Sequence, residues 1–165
     1  MALLAATSSK DASFKEEKHL SALDQPVVSQ GWLRFRAPAR LEKHTTSPIT
    51  EDLVVDGNRL LLDKPAENVH YDLDLRQVPE LASLVEAVRG VLAGDIQSLR
   101  AHYSVGLEGQ APGWKLTLVP TEARVKELLK VVRIEGREGT VQDVTTIQPN
   151  GDLSSMQIQP LAVGN

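Results

Sequence analysis

From Gln30 onward the chain repeats one device: a short run in which apolar and polar residues alternate, followed by a turn signal rich in glycine, proline or asparagine. Alternation with period two puts successive side chains on opposite faces, as a half-buried strand requires and a helix does not allow. Residues 30–37 set Gly31, Leu33, Phe35 and Ala37 on one face and Trp32, Arg34 and Arg36 on the other, and Pro38 ends the run. Residues 40–46 continue as a second, more polar strand. Asp56-Gly57-Asn58 separates two apolar triplets, 53–55 and 60–62, the strongest short-range hairpin signal in the chain. Val69, Tyr71, Leu73 and Leu75 then alternate with His70, Asp72 and Asp74. Three further turns are expected at 110–113, at Glu138-Gly139 and at 149–152, each between alternating runs. Such a chain must fold largely as an antiparallel meander.

The helical signals are fewer. Asp11 or Ser13 reads as the cap of a leading helix carrying Phe14, Lys18, Leu20 and Leu23, which Pro26 ends. Pro79 and Glu80 suit a first helical turn, and Leu81, Leu84, Val85, Val88, Val91 and Leu92 follow at helical spacing until Gly94. Ile96 and Leu99 extend this as a second short helix. Residues 121–129, with Thr121 as cap, read as one helical turn or as the approach to a strand.

Size and charge narrow the function. The 165 residues predict one domain over 11–160, with residues 1–10 disordered or signal-derived and 161–165 a tail. Met1-Ala2-Leu3-Leu4-Ala5-Ala6 reads equally as the end of a truncated secretory signal or as a ragged terminus. A net charge of −4 argues against nucleic acid as a partner. With no cysteine, disulfides and thiol chemistry are excluded. No apolar run reaches the ~18 residues that span a bilayer, so stable membrane insertion by a helix is not expected.

Catalytic motifs are missing: there is no G-x-S-x-G, phosphate loop, dinucleotide fingerprint or H-E-x-x-H. His70, Asp72 and Asp74 share a strand face and are the one cluster on which a metal or acid–base site can be argued. A solvated polar face opposite Val69, Tyr71 and Leu73 fits the alternation better. Glu16, Glu17, Glu51 and Asp52 read as surface charges. Trp32 with Arg34 and Arg36 suggests either a cation–π ligand platform or an exposed face on which arginine stems cover the indole. The residues thus point to no enzyme and no cofactor.

The order of elements resembles the LolA family of periplasmic outer-membrane lipoprotein carriers, in its divergent LolA-like branch. The resemblance runs from about Phe14 to Ile158. It rests on Gly31-Trp32-Leu33-Arg34-Phe35-Arg36-Ala37-Pro38, on Asp56-Gly57, on the Trp114-Lys115-Leu116-Thr117-Leu118-Val119-Pro120 strand, on Ile134-Glu135-Gly136-Arg137-Glu138-Gly139 and on the terminal Gly151-Asp152 strand. It implies an α+β fold: an incomplete antiparallel β-barrel, a strongly curved sheet, with helices covering its concave face. It also implies a periplasmic carrier, a chaperone in the sense of shielding cargo. Such a carrier holds the acyl chains of a lipoprotein or related lipid in an apolar cavity and passes them from an inner-membrane donor to an outer-membrane acceptor.

On this chain the cavity would be lined by Leu33, Phe35, Leu60, Leu62, Leu116, Met156 and Ile158, beneath a lid helix of Leu81, Leu84, Val85, Val88 and Leu92. Two departures stand out. Ala37 occupies the position where studied carriers have the arginine that anchors the lid, and the expected lining is aliphatic, since Trp, Tyr and Phe number two each. The alternative reading is a non-enzymatic interaction module of the cell envelope with a filled barrel core.

Overall fold

The computed structural model describes residues 9–36, 40–78, 82–83, 85–86, 89–90, 96–109, 113–138 and 140–160. Its strands are β1 (Ser9–His19), β2 (Val27–Arg36), β3 (Arg40–Ser47), β4 (Glu51–Asp56), β5 (Arg59–Lys64), β6 (Val69–Asp74), β7 (Tyr103–Glu108), β8 (Gly113–Pro120), β9 (Val131–Arg137), β10 (Thr140–Ile147) and β11 (Leu153–Pro160). All eleven lie in one curved, open antiparallel sheet, ordered β6-β5-β4-β3-β2-β1-β11-β10-β9-β8-β7. Helix is sparse: Ile96–Arg100, Ala123–Lys126, the helical residues Ala82, Ser83, Val85, Glu86, Arg89 and Gly90, and two 3-10 turns, Pro65–Glu67 and Leu75–Gln77, the second taking Leu75 out of the strand expected to hold it.

The four expected hairpins join β4 to β5, β7 to β8, β9 to β10 and β10 to β11, while those joining β1 to β2, β3 to β4 and β5 to β6 fall outside the expected hairpin turns. β4 and β5 join through Gly57 and Asn58 alone, with Asp56 opposite Arg59 as the last pair. β9 and β10 close at Glu138, which sits at φ 54, and β10 and β11 close at Gly151. The turn residues 110–112 and Gly139 lie outside the described residues, as do residues 1–8 and 161–165. The proposed second short helix is present at Ile96–Arg100, and the segment after Thr121 is one helical turn. Thr121 is not its cap: Glu122 holds that position, and the Thr121 hydroxyl donates to the His102 carbonyl at 3.0 Å.

The leading helix is a correction. Residues 9–19 form β1, with Phe14 opposite Gly31 of β2 on one side and Ile158 of β11 on the other. The supposed cap residues are engaged across strands: Asp11 accepts from Arg34 and Arg36, and the Ser13 hydroxyl faces the Gln159 carbonyl at 3.4 Å. Asp and Ser favour a helix start only when nothing competes for them. Here two full ladders satisfy the backbone of β1 on both edges, and that outweighs a local cap.

Gly31 shows why this strand pair tolerates so little. It lies at a register shift between β2 and β3, and a Cβ there would run into the backbone carbonyl of His44. Gly31→Ala should therefore lower the unfolding free energy by about 2 kcal/mol. Gly113→Ala, where a Cβ meets nothing within 4 Å, should stay within about 0.5 kcal/mol of wild type. Urea unfolding of both variants checks the pair.

Candidate functional site: the apolar face of the sheet

Residues paired directly across antiparallel strands project to the same face. Following the register from β6 to β7 collects Leu73, then Leu60 and Leu62, Val55 and Leu53, Leu41, and Leu33 and Phe35. On the other side of β1, which contributes Phe14, come Ile158 and Met156, Val144, Ile134, Leu116 and Leu118, and finally Val105. All seven expected lining residues thus share one face. Phe35, Leu60 and Leu116 are buried, while Leu33, Leu62, Met156 and Ile158 are half-buried.

Packing concentrates at the two ends of this face. At one end Leu99, Val125 and Leu129, from the short helices and the loop after them, join Tyr103, Leu116, Leu118 and Ile134. At the other, Val55, Leu60 and Leu75 pack together with Ala82 and Val85 against them. Val85 is the one expected lid residue that can be placed; Leu81, Leu84, Val88 and Leu92 lie outside the described residues, as does Ala37.

The helical residues near Val85 are tied to the sheet twice. The Tyr103 hydroxyl donates to the Ser83 carbonyl at 2.9 Å, and burial, with Glu122 adding to it, pushes that phenol up to about 12. Arg89 donates through Nη2 to the Gly57 carbonyl at 2.6 Å. Neither tie was visible in the sequence, because each joins segments that only the sheet brings together.

Between the two packed ends the face is not uniformly apolar. Glu16, read from the sequence as a surface charge, is 6% exposed. Its carboxylate accepts from Lys43 Nζ at 3.1 Å and from the Ser154 hydroxyl at 2.6 Å, and the Lys43 ammonium lies 5.3 Å from the Phe14 ring centroid. Burial pushes the Glu16 carboxyl up, but the Lys43 charge, the Ser154 hydroxyl, the Lys43 hydrogen bond and the charge of Lys18 outweigh it and hold the group below the usual range. Once residues 9–19 are a strand, Glu16 falls in phase with Ala12 and Phe14; reading them as a helix concealed that.

The opposite face is a lattice of charge. Arg40 bonds Glu42 and Asp56, and His44 sits between Glu42 and Asp52 at 2.8 and 2.7 Å. Trp32 stacks on His44 at 4.0 Å with the Arg34 guanidinium 4.9 Å from its ring, so arginine covers the indole and a histidine shares it. The His70, Asp72 and Asp74 cluster is engaged here too. Asp72 takes two hydrogen bonds from Arg59, and the Arg76 side chain and backbone N–H pull Asp74 down to about 2. Among the described residues no three His, Asp or Glu side chains are placed to hold a metal ion. Two shallow depressions, of about 500 and 560 Å³, are lined mainly from this polar side, one around Gln30, Trp32 and Gln157 and the other around Arg59, Asp72 and Arg76.

One open sheet with an apolar face, a charged face and short helical pieces packed at its ends defines a half-barrel class of fold. A family model described as outer membrane lipoprotein carrier protein LolA-like matches residues 1–162, and the chain belongs to that family. Among solved structures, MucB aligns with a TM-score of 0.51 at 17% identity, over 99% of this chain and 57% of its own. This chain therefore spans little more than half the length of MucB. A LolA superfamily protein from Nitrosomonas europaea aligns at 11% identity and TM-score 0.44, covering 96% of this chain and 88% of that one. A putative outer membrane lipoprotein-sorting protein domain from Vibrio parahaemolyticus aligns at 7% identity and TM-score 0.44, covering 94% and 87%. No curated protein matches the sequence. No helix among the described residues is long and apolar enough to cross a membrane.

The Glu16 cluster has two measurable consequences. Lys43→Met strands a buried carboxylate and should cost about 3 kcal/mol, most of which Glu16→Gln in the same chain should restore. A carboxyl whose folded value is depressed stabilises the fold above its unfolded value, here 4.5, and loses that contribution as pH falls through the folded value. The stability advantage of wild type over Glu16→Gln should therefore be full above about pH 5 and shrink as pH falls below it through the depressed folded value, as read by urea melts at each pH.

Proposed function

We propose that this protein is a non-enzymatic carrier of the cell envelope, working in the periplasm. It holds the acyl chains of a lipoprotein or related lipid against the apolar face, beneath the helical segment around Val85, and passes them towards the outer membrane. One observation carries this reading: the face is packed at both ends and, apart from the Glu16–Lys43–Ser154 cluster, stays apolar and half-buried at Leu33, Met156 and Ile158 in between.

Burying each methylene is worth ~0.8 kcal/mol, so an acylated cargo crosses water only when a surface like this replaces the membrane. Transfer then needs reversible contact and no bond chemistry. The Tyr103–Ser83 and Arg89–Gly57 hydrogen bonds give the lid a closed position on the sheet from which it can open.

The test uses Nile red, a neutral hydrophobic dye, with Leu33→Glu and Ile158→Glu. Both positions are half-buried, so each change should cost only about 1 kcal/mol of stability while weakening dye binding about tenfold or more. Equal loss of binding and stability, or no binding by wild type, would overturn the carrier reading.

A second reading, an envelope module that binds a protein on a filled core, is favoured by one comparison. MucB, whose fold this chain shares, has also been solved in complex with MucA(peri). That reading requires a wild type that ignores the dye yet binds an envelope protein saturably.

A further inference from the structure

We infer that the Glu16–Lys43–Ser154 cluster is the headgroup subsite of the apolar face, and that it selects neutral acyl esters over free fatty acids. This rests on the carrier reading and names the class of cargo.

The cluster stands in the half-buried middle of the face. By register Glu16 is beside Met156, and Phe14, under the Lys43 ammonium, is beside Ile158. Lys43 lies opposite Leu33 on the neighbouring strand and reaches Glu16 across β2, where Gly31 has no side chain to block the path. An acyl chain lying along Leu33, Met156 and Ile158 thus brings its polar end to Lys43.

An ammonium carries three N–H donors. Among the described residues Glu16 is the one acceptor of the Lys43 ammonium, so donors remain for a ligand oxygen. Both carboxylate oxygens of Glu16 are already engaged, one by Lys43 and one by Ser154.

The charge of the pair decides which oxygen is accepted. Within the buried pair Lys43 and Glu16 cancel, and Lys18, whose charge also reaches Glu16, is exposed and screened by water, so the buried subsite offers donors without net positive charge. An incoming carboxylate would meet Glu16 at close range and would have to shed its water for no compensating charge, the costly case. An ester carbonyl sheds less water, accepts the same hydrogen bond and carries no charge for Glu16 to repel. Acylated glycerol and similar neutral esters fit this chemistry.

The test measures displacement of Nile red from the full chain at neutral pH by methyl palmitate, palmitate and hexadecane, which share one chain and differ in the head. Wild type should release dye to the ester at about tenfold lower concentration than to the carboxylate. Glu16→Gln leaves Lys43 uncompensated and should reverse that order. The Glu16→Gln/Lys43→Met variant keeps the face neutral and should lose about tenfold in ester affinity with hexadecane unchanged. It serves equally if Glu16→Gln does not fold. Displacement by all three ligands with the same order in every variant would overturn the subsite and leave the carrier standing. Failure of every ligand to displace dye from wild type would overturn both.

Discussion

The sheet depends on one strand that is paired on both edges. β1 is sixth of eleven, and it alone joins the meander β2 to β6 to the meander β11 to β7. Without it there would be two five-stranded sheets, each with a free edge through the middle of the present apolar face. Glu16 concentrates that role in one side chain. Standing on β1, it holds Lys43 of β3 on one side and Ser154 of β11 on the other. A buried ion pair adds little net stability against a well-packed apolar alternative, but losing either partner is expensive. The join therefore resists slippage more than it adds strength.

The two faces divide the remaining work. On the polar face, cross-strand pairs such as Arg40–Asp56, His44–Asp52 and Lys115–Glu135 are individually weak in water, yet a one-residue slip would break them together. They specify register, and the register brings Leu33, Phe35, Leu60, Leu62, Leu116, Met156 and Ile158 to one side. The same logic explains Gly136. The Trp114 ring lies where its Cβ would be, and the indole N–H donates to the Glu138 carbonyl at 2.8 Å. An aromatic residue of β8 thus fills the gap that a glycine leaves in β9.

The local parts of this architecture were legible in the sequence because their causes are local. A tight turn and the alternation around it are complete within about ten residues, so the four hairpins with such turns and the inward face of β2 could be read directly. β1 could not be read that way. Its partner Ile158 is distant in sequence, and Asp11 and Ser13 carry the chemistry of a helix cap until Arg34 and Gln159 claim them. Glu16 followed β1 into error: a glutamate is an ordinary surface residue on an exposed helix and an exceptional one on the inward side of a central strand. The ties from Tyr103 and Arg89 to backbone carbonyls left no sequence signature, since any residue supplies a carbonyl.

Pairing the first strand with the last also sets when this molecule can become whole. The two meanders consist of neighbours in sequence and can each assemble hairpin by hairpin from local contacts. The seam between β1 and β11 closes a loop of nearly the entire chain, the slow, high-contact-order step in a sheet protein. A nascent chain therefore carries β1 with one edge unpaired until β11 emerges. Throughout synthesis, the strand that later unites the sheet is also its most exposed sticky edge.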